Sequence, residues 1–391
     1  MKILIIEDDE LIAKVYSGKY QAAGFVTTSA GDGVRGLELV SEFKPDLIHL
    51  DLSIPKLNGV EVIKQVRSRP ALKSLPIVVL SNTYQNRLVK QAIDAGATRC
   101  VSKATCTPKM MLEIVEAYRP AEASLPASPV AESAAQGAAP VSAPLDSPYT
   151  TEIHKHAAFQ ADIQRGFLRR APQKLGAIRT LVAPLFKADA ATRSQDLAEL
   201  FRVTNSFAGQ AGIAGFERLS QLASALAALV RDLMDEPKSL SPSAIHTIVA
   251  ASDSLSALLD HATDPEAEPT TPGIVLVVDD DPIARRAVCV ALARLSVPTL
   301  SVADPKAALS LLAENRFRLV FMDIEMPGLS GPDLCGELRK LPGYATTPVV
   351  FVSGRADDEA RARGQASGAS ELIAKPFLPL ELAVKTLTLL S

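Results

Sequence analysis

Residues 3–10 read ILIIEDDE, and 272 positions further on (7 to 279) residues 275–282 read VLVVDDDP. In both, four branched apolar residues run straight into a block of acids, which is how a strand buried on both faces ends at a polar sheet edge. The offset holds well beyond this stretch. Glu7, Asp8, Asp51, Ser81 and Lys103 return as Asp279, Asp280, Asp323, Ser353 and Lys375, while Pro55 and Gly59 return as Pro327 and Gly331. Roughly a hundred residues are therefore duplicated within the chain, with no net insertion between these marks.

Each copy alternates short β-branched runs with amphipathic stretches, the pattern of a parallel sheet flanked by helices. Strands are expected at 3–6, 25–28, 46–50, 77–80 and 100–102, and again at 274–278, 298–302, 319–322, 349–352 and 371–374. The fold class is then α/β, with two doubly wound five-stranded parallel sheets. The acids fall just past strand one of each copy, the Asp past strand three, the Ser past strand four and the Lys past strand five. Open α/β sheets bind ligands at the carboxyl ends of their strands, where the strand order switches, so these side chains converge there.

Three carboxylates brought together repel one another unless a hard cation joins them, and an all-oxygen set with open positions suits magnesium. Asp51 and Asp323 then become candidate nucleophiles toward phosphorus. The metal would neutralise an incoming phosphoryl group, the Lys would hold one of its oxygens and the Ser hydroxyl another. The product of such a site is an acyl phosphate.

The residues that carry this chemistry resemble a known family. IIEDDE, HLDLSIPKLNG, VVLSN and VSK in the first copy, and VVDDDP, FMDIEMPGLSG, FVSG and AKPF in the second, resemble the signatures of response-regulator receiver domains, which have a flavodoxin-like fold. The resemblance covers residues 1–119 and 274–391. It implies that Glu7, Asp8 and Asp51, with the backbone carbonyl of Ser53, hold Mg2+, as do Asp279, Asp280 and Asp323 with the backbone carbonyl of Glu325. It implies that Asp51 and Asp323 accept phosphate from a phosphohistidine on a sensor histidine kinase or histidine phosphotransfer protein. Ser81 and Ser353 would report the aspartyl phosphate, and Lys103 and Lys375 would pair with its oxygens.

The first copy departs from the family pattern. Lys375 is followed by Pro376, as is usual, but Lys103 is followed by Ala104. A cis bond before Ala would cost about 3 to 4 kcal/mol against roughly 0.5 to 1 before Pro, so that loop is expected to run trans and to aim Lys103 differently. Three positions before each Lys, Cys100 and Leu372 replace the aromatic residue many receivers carry, so signalling through an aromatic rotamer is not expected.

Between the copies, residues 120–150 are mostly Ala, Pro and Ser and read as a semi-extended linker, and 263–273 as a shorter acidic one. Residues 151–262 show helical spacing throughout, with helices expected at 152–169, 173–187, 192–212, 216–235 and 242–261, an all-α bundle separating the two α/β domains. Within it, LFRVTNSFAGQAGIAGFERLSQLASAL (200–226) resembles the histidine phosphotransfer domain, with Gly209, Gly212, Gly215 and Phe216 in the motif's places. The His position is Asn205 and the Lys position is Ala208. Asn has no ring nitrogen to carry phosphate, so the bundle reads as a degenerate docking module. Asn205→His with Ala208→Lys is expected to restore transfer. His154 and His156 read as solvated surface residues, His246 and His261 as packed or capping ones, and His49 as a core side chain.

Other readings are weaker. Gly31–Gly36 matches G-x-G-x-x-G, but it follows the second strand rather than the first, and the second copy has Ala303-Asp304-Pro305-Lys306-Ala307-Ala308 there. Net charge is −3 in all, with +3 over residues 1–119, −5 over 120–273 and −1 over 274–391, so direct nucleic-acid binding lacks its electrostatic footprint. Four cysteines without a C-x-x-C pair point to a reducing cytoplasm and no zinc site. No apolar run nears about 18 residues and Met1 leads into a strand, so neither membrane insertion nor a secretory signal is expected. The expected function is bacterial two-component signalling with output by contact with a downstream protein, not catalysis. The alternatives are a magnesium-dependent phosphohydrolase, or a regulatory fragment whose output domain is missing.

Overall fold

The computed structural model describes residues 1–81, 86–103, 106, 108–119, 148–186, 190–262, 273–295, 297–354 and 366–391. The chain forms two compact units. One comprises Met1–Ser81, Asn86–Arg170 and Gly212–Gly215, the other Ala171–Ala211 and Phe216–Ser391. The expected linkers lie outside the described residues except at their ends, where a helix already begins at Pro148.

In the first unit, strands β1 (Lys2–Ile6), β2 (Val26–Ala30), β3 (Leu47–Asp51), β4 (Ile77–Ser81) and β5 (Arg99–Ser102) form one parallel sheet in the order β2-β1-β3-β4-β5. Helices α1 (Glu10–Ala22), α2 (Gly33–Phe43), α3 (Gly59–Ser68), α4 (Asn86–Asp94) and α5 (Pro108–Glu116) cross over between them. Alternate residues of β1 serve opposite faces. Ile3 and Ile5 pack with Tyr16, Tyr20 and Val115, and Leu4 and Ile6 with Val40, Val62 and Ile63. Each such buried side chain contributes roughly 1.5 to 3 kcal/mol. Every residue of β3 and β4 is buried, so both read as continuous apolar runs rather than alternating ones.

His49 is a core residue, as expected. Its Nδ1 lies 2.9 Å from Tyr20 Oη, while its Nε2 has no hydrogen-bond partner among the described residues. Burial pushes its pKa down to about 3, with the Lys103 charge adding to the effect, so the imidazole is neutral.

The second unit contains the duplicate sheet. Strands β6 (Ile274–Val278), β7 (Thr299–Val302), β8 (Phe317–Asp323), β9 (Val349–Ser353) and β10 (Glu371–Ala374) are parallel in the order β10-β9-β8-β6-β7. This is the first sheet's order read from the other edge. The ten strands lie where the sequence places them, within two residues at each end. Between and after them run α10 (Pro282–Ala293), α11 (Pro305–Glu314), α12 (Gly331–Lys340) and α13 (Pro379–Leu390).

The helical region holds α6 (Pro148–Val182), α7 (Ala190–Ile213), α8 (Glu217–Asp235) and α9 (Pro242–Ala262). Two helices, 152–169 and 173–187, were expected where α6 runs unbroken through Pro172, a residue that ordinarily interrupts a helix. Inside α6 it forfeits one backbone hydrogen bond, and the buried stripe Phe167, Ala171, Leu175, Ile178 and Val182 carries the helix through. His246 and His261 are exposed rather than packed, with His261 in the last turn of α9, where a cation suits the helix dipole. The side chains of His154 and His156 lie outside the described residues. No helix among the described residues is long and apolar enough to cross a membrane.

Candidate functional site

The strand order reverses between β1 and β3 in the first sheet and between β6 and β8 in the second, and the predicted site residues gather at these two switch points. In the first, carboxylate oxygens of Glu7, Asp8 and Asp51 lie within 4.8 Å of one another. Lys103 Nζ donates to Glu7 Oε2 at 2.8 Å and to Asp51 Oδ2 at 2.6 Å. Asp51 Oδ1 accepts the Ser53 amide at 3.1 Å. Lys103 is only 6% exposed.

One ammonium cannot balance three carboxylates. Burial, with the charges of Asp51 and Asp8 adding and Lys103 opposing, pushes the Glu7 pKa up to about 8. Burial and Asp51 likewise raise that of Asp8. Burial opposes the charge on Lys103, but Asp51 and Glu7 outweigh it and hold its pKa above the ordinary lysine value.

The second site has the same plan and is more open. Oxygens of Asp279, Asp280 and Asp323 lie within 4.8 Å of one another. Lys375 Nζ stands 2.9 Å from Asp279 Oδ2 and 3.3 Å from Asp323 Oδ1, and its side chain is 22% exposed. Burial raises the Asp323 pKa, with Asp279 adding and Lys375 opposing. In both copies the Lys amide donates to the carbonyl of the Ser that ends the neighbouring strand, Lys103 to Ser81 at 2.8 Å and Lys375 to Ser353 at 2.7 Å. Ser81 and Ser353 are themselves buried at those strand ends.

The expectation that Lys103 is aimed differently from Lys375 is therefore corrected, since each lysine reaches both an acid after strand one and the Asp after strand three. The strand-end hydrogen bond from the Lys103 amide, together with the two carboxylates, positions Lys103 without a following proline. Ala104 lies outside the described residues. Lys375-Pro376 is cis.

The sequence reading missed how the acidic blocks divide their work. The third acid of each caps a helix: Asp9 accepts the Leu11 and Ile12 amides, and Asp281 accepts that of Ile283. The Pro at the first position of α10 was a signal for this cap. Arg285 was also missed, and its guanidinium donates to the Asp279 carbonyl at 2.6 Å, bracing the acidic loop. The first two acids and the Asp thus remain turned toward one another. A set of oxygen donors this close fits a hard divalent cation.

The helical region departs further from expectation. Asn205 is 9% exposed and Ala208 2%, so the position where the motif has its phosphate carrier is not a free surface here. Ser220 Oγ donates to the Ala208 carbonyl at 2.9 Å, closing α8 against α7. Gly215 has φ +85°, and the Gly215 and Phe216 amides return to the carbonyls of Gly212 and Ala211 at 3.0 and 2.9 Å. That pairing is a helix-ending Schellman turn, so this glycine serves the chain reversal and needs no docking role. Ala208→Lys, rather than restoring transfer beside Asn205→His, should bury an ammonium. We expect the double variant to lose about 2 kcal/mol or more, read as a lower urea midpoint, and to gain no phosphate.

Comparison with known proteins agrees with this geometry. The response regulator receiver domain family matches residues 3–116 and 275–386, together more than half of the chain, and the Hpt domain family matches residues 162–262. The chain is 27% identical over 116 residues to the polar-differentiation response regulator DivK of Brucella anthropi, covering 30% of this chain and 94% of DivK. It is 32% identical over 113 residues to the DNA-binding dual master transcriptional regulator RpaA of Synechocystis, covering 29% of this chain and 47% of that protein. The solved chemotaxis response regulator CheY4 of Vibrio cholerae aligns at 30% identity over 31% of this chain and all of its own, with a TM-score of 0.29. The chain belongs to the response regulator receiver family. Two receiver domains flank an Hpt domain, the architecture of a two-component phosphorelay response regulator, and neither match favours a phosphohydrolase.

Proposed function

We propose that Asp323 and Asp51 accept a phosphoryl group from a phosphohistidine on a histidine kinase or histidine phosphotransfer protein. The observation that carries this is the twofold occurrence of one constellation, three clustered carboxylates and one lysine at a strand-order switch. In the transfer, a carboxylate oxygen bonds to phosphorus as the P–N bond to imidazole breaks, and the released ring nitrogen later takes a proton. Lys103 and Lys375 hold phosphoryl oxygens, and Ser81 and Ser353 approach from the adjoining strand ends. Glu7, Asp8 and Asp51, and Asp279, Asp280 and Asp323, would hold Mg2+, completed by the carbonyls of Ser53 and Glu325. When bound, the ion neutralises charge on the phosphoryl group.

Hydrolysis of the acyl phosphate would reset the site, with output through contact with a cytoplasmic protein target. Asn205 leaves the helical domain without a carrier, so it serves in binding and not in transfer. The test is covalent labelling by a small phosphodonor, with Asp51→Asn and Asp323→Asn as discriminating variants.

The first site should also bind its ion in a pH-dependent way. With the Glu7 pKa at about 8 against an ordinary 4.5, the metal-free fold keeps a proton there that the unfolded chain has released. Its stability contribution is therefore present at low pH and lost as pH rises from about 4.5 to 8. Cation binding needs the carboxylate form. Magnesium affinity measured by calorimetry should climb from pH 6 to 8, by up to about tenfold per unit, and Glu7→Gln should flatten the climb. Equal affinity across that range in the wild-type chain would contradict the buried-proton account.

A further inference from the structure

Two helices of the second unit are buried in a way their own domains do not require. In α8 every residue from Leu222 to Val230 is buried, and a helix covered all round needs partners on opposite sides. In α13, the last helix of the second receiver, every residue from Leu380 to Thr386 is buried, including Glu381 and Lys385. The corresponding helix of the first receiver, α5, keeps Lys109, Met110, Glu113 and Glu116 exposed. The difference arises because α8 and α9 both pack on α13.

The interface is polar as well as apolar, and its polar groups are paired across it. Glu381 accepts hydrogen bonds from Ser243 and from Thr247 of α9, the latter at 3.5 Å. Arg218 of α8 donates to the carbonyls of Leu390 and Ser391 at 3.0 and 3.3 Å, satisfying the open end of α13. Lys385 pairs with Glu371 of β10, tying α13 to the edge strand. Beside this pair lies a cavity of about 460 Å³ lined by Ser243 and His246 of α9, Phe351 of β9, Glu371 and Leu372 of β10, and Lys385.

These contacts are short in chain terms from the site. Phe351 lies two residues before Ser353, and Lys375 stands between β10 and α13. A shift of Ser353 and Lys375 toward a new phosphoryl group would be passed along β9 and β10 to the wall that α9 faces, where the cavity leaves room for displacement.

We propose that α8 and α9 are an intramolecular clamp on α13, through which the helical domain reads the phosphorylation state of Asp323. This rests on Asp323 being the phosphoacceptor. It also relocates the docking surface of the helical domain, from the α7 positions around Asn205 to α8 and α9.

The test is hydrogen exchange by mass spectrometry on the full chain, in magnesium alone and with beryllofluoride as the acyl-phosphate mimic. Exchange in peptides from α8, α9 and α13 should change by about threefold or more, and not in Asp323→Asn. A response around Ser353 and Lys375 with α8 and α9 unmoved would overturn the clamp and leave the phosphoacceptor assignment standing. No response at either place would overturn both. Glu381→Lys should raise exchange in α9 without beryllofluoride, whereas Glu381→Gln, which keeps an acceptor oxygen, should not. Unchanged α9 exchange in Glu381→Lys would also overturn the clamp.

Discussion

Incubated with a small phosphodonor and magnesium, the wild-type chain should take up label at both Asp323 and Asp51, and the Asp51→Asn, Asp323→Asn double variant at neither. Chelating the metal should have the same effect as the double substitution, because a phosphoryl group cannot enter a cluster of three carboxylates without a counter-charge. The rates should differ. Both lysines stand between two carboxylates, but Lys103 is 6% exposed and 2.6 Å from Asp51, whereas the Lys375 side chain is 22% exposed and 3.3 Å from Asp323, so a donor meets less reorganisation at the second site. Asp51→Asn should therefore leave fast labelling and Asp323→Asn slow labelling. Label that survives the double substitution would remove Asp51 and Asp323 from the role.

Gly331→Ala should destabilise the second receiver by about 3 kcal/mol or more, although Ala is the better helix former by roughly 1 kcal/mol. A Cβ at Gly331 would lie 2.1 Å from the Asp323 carbonyl oxygen and 3.0 Å from Ile324 Cα. Both are backbone atoms and cannot swing aside. The Gly331 amide donates to the Ile324 carbonyl at 2.9 Å, so the start of α12 sits directly on the loop that carries the site. Gly59 repeats the arrangement, with a Cβ there 2.6 Å from the Asp51 carbonyl oxygen. Gly336, in the same helix as Gly331, is the control: nothing among the described residues lies within 4 Å of its Cβ position, and Gly336→Ala should be neutral or stabilising by up to about 1 kcal/mol. Calorimetric unfolding checks both, and a Gly331→Ala chain as stable as wild type would refute the close-packing account.

The site was legible because its residues are tied to strand ends. A strand buried on both faces announces itself as a branched apolar run, and whatever polar residue follows must lie at the sheet's edge, so Asp51, Ser81 and Lys103 could be placed together without coordinates. The duplication doubled that evidence. The reading failed where a local rule met a tertiary one. Pro172 stands in the gap between the two helices expected at 152–169 and 173–187 but lies inside α6, because one lost hydrogen bond weighs less than a continuous buried stripe. Ala104 reads as a defect, yet Lys103 reaches Asp51 at 2.6 Å through contacts with residues far away in sequence.

In the helical domain, motif and structure part company. The glycines around residue 209 resemble a docking surface, but Gly215 is accounted for by a chain reversal, and Asn205 is buried. A signal for the other surface was present. LASALAALV in α8 is apolar all round, which demands partners on two sides, but no pattern within the helix says which partner comes second. The sequence by itself determined the two sheets, the acids, Ser and Lys at their edges, and an Asn at position 205 where the motif has its His, since each depends on residue type and local period. Only the tertiary structure decided that α8 and α9 pack on α13, because that depends on which two apolar surfaces fit, on a partner for the buried Glu381 carboxylate and on Arg218 reaching the end of α13, a property of shapes formed after folding.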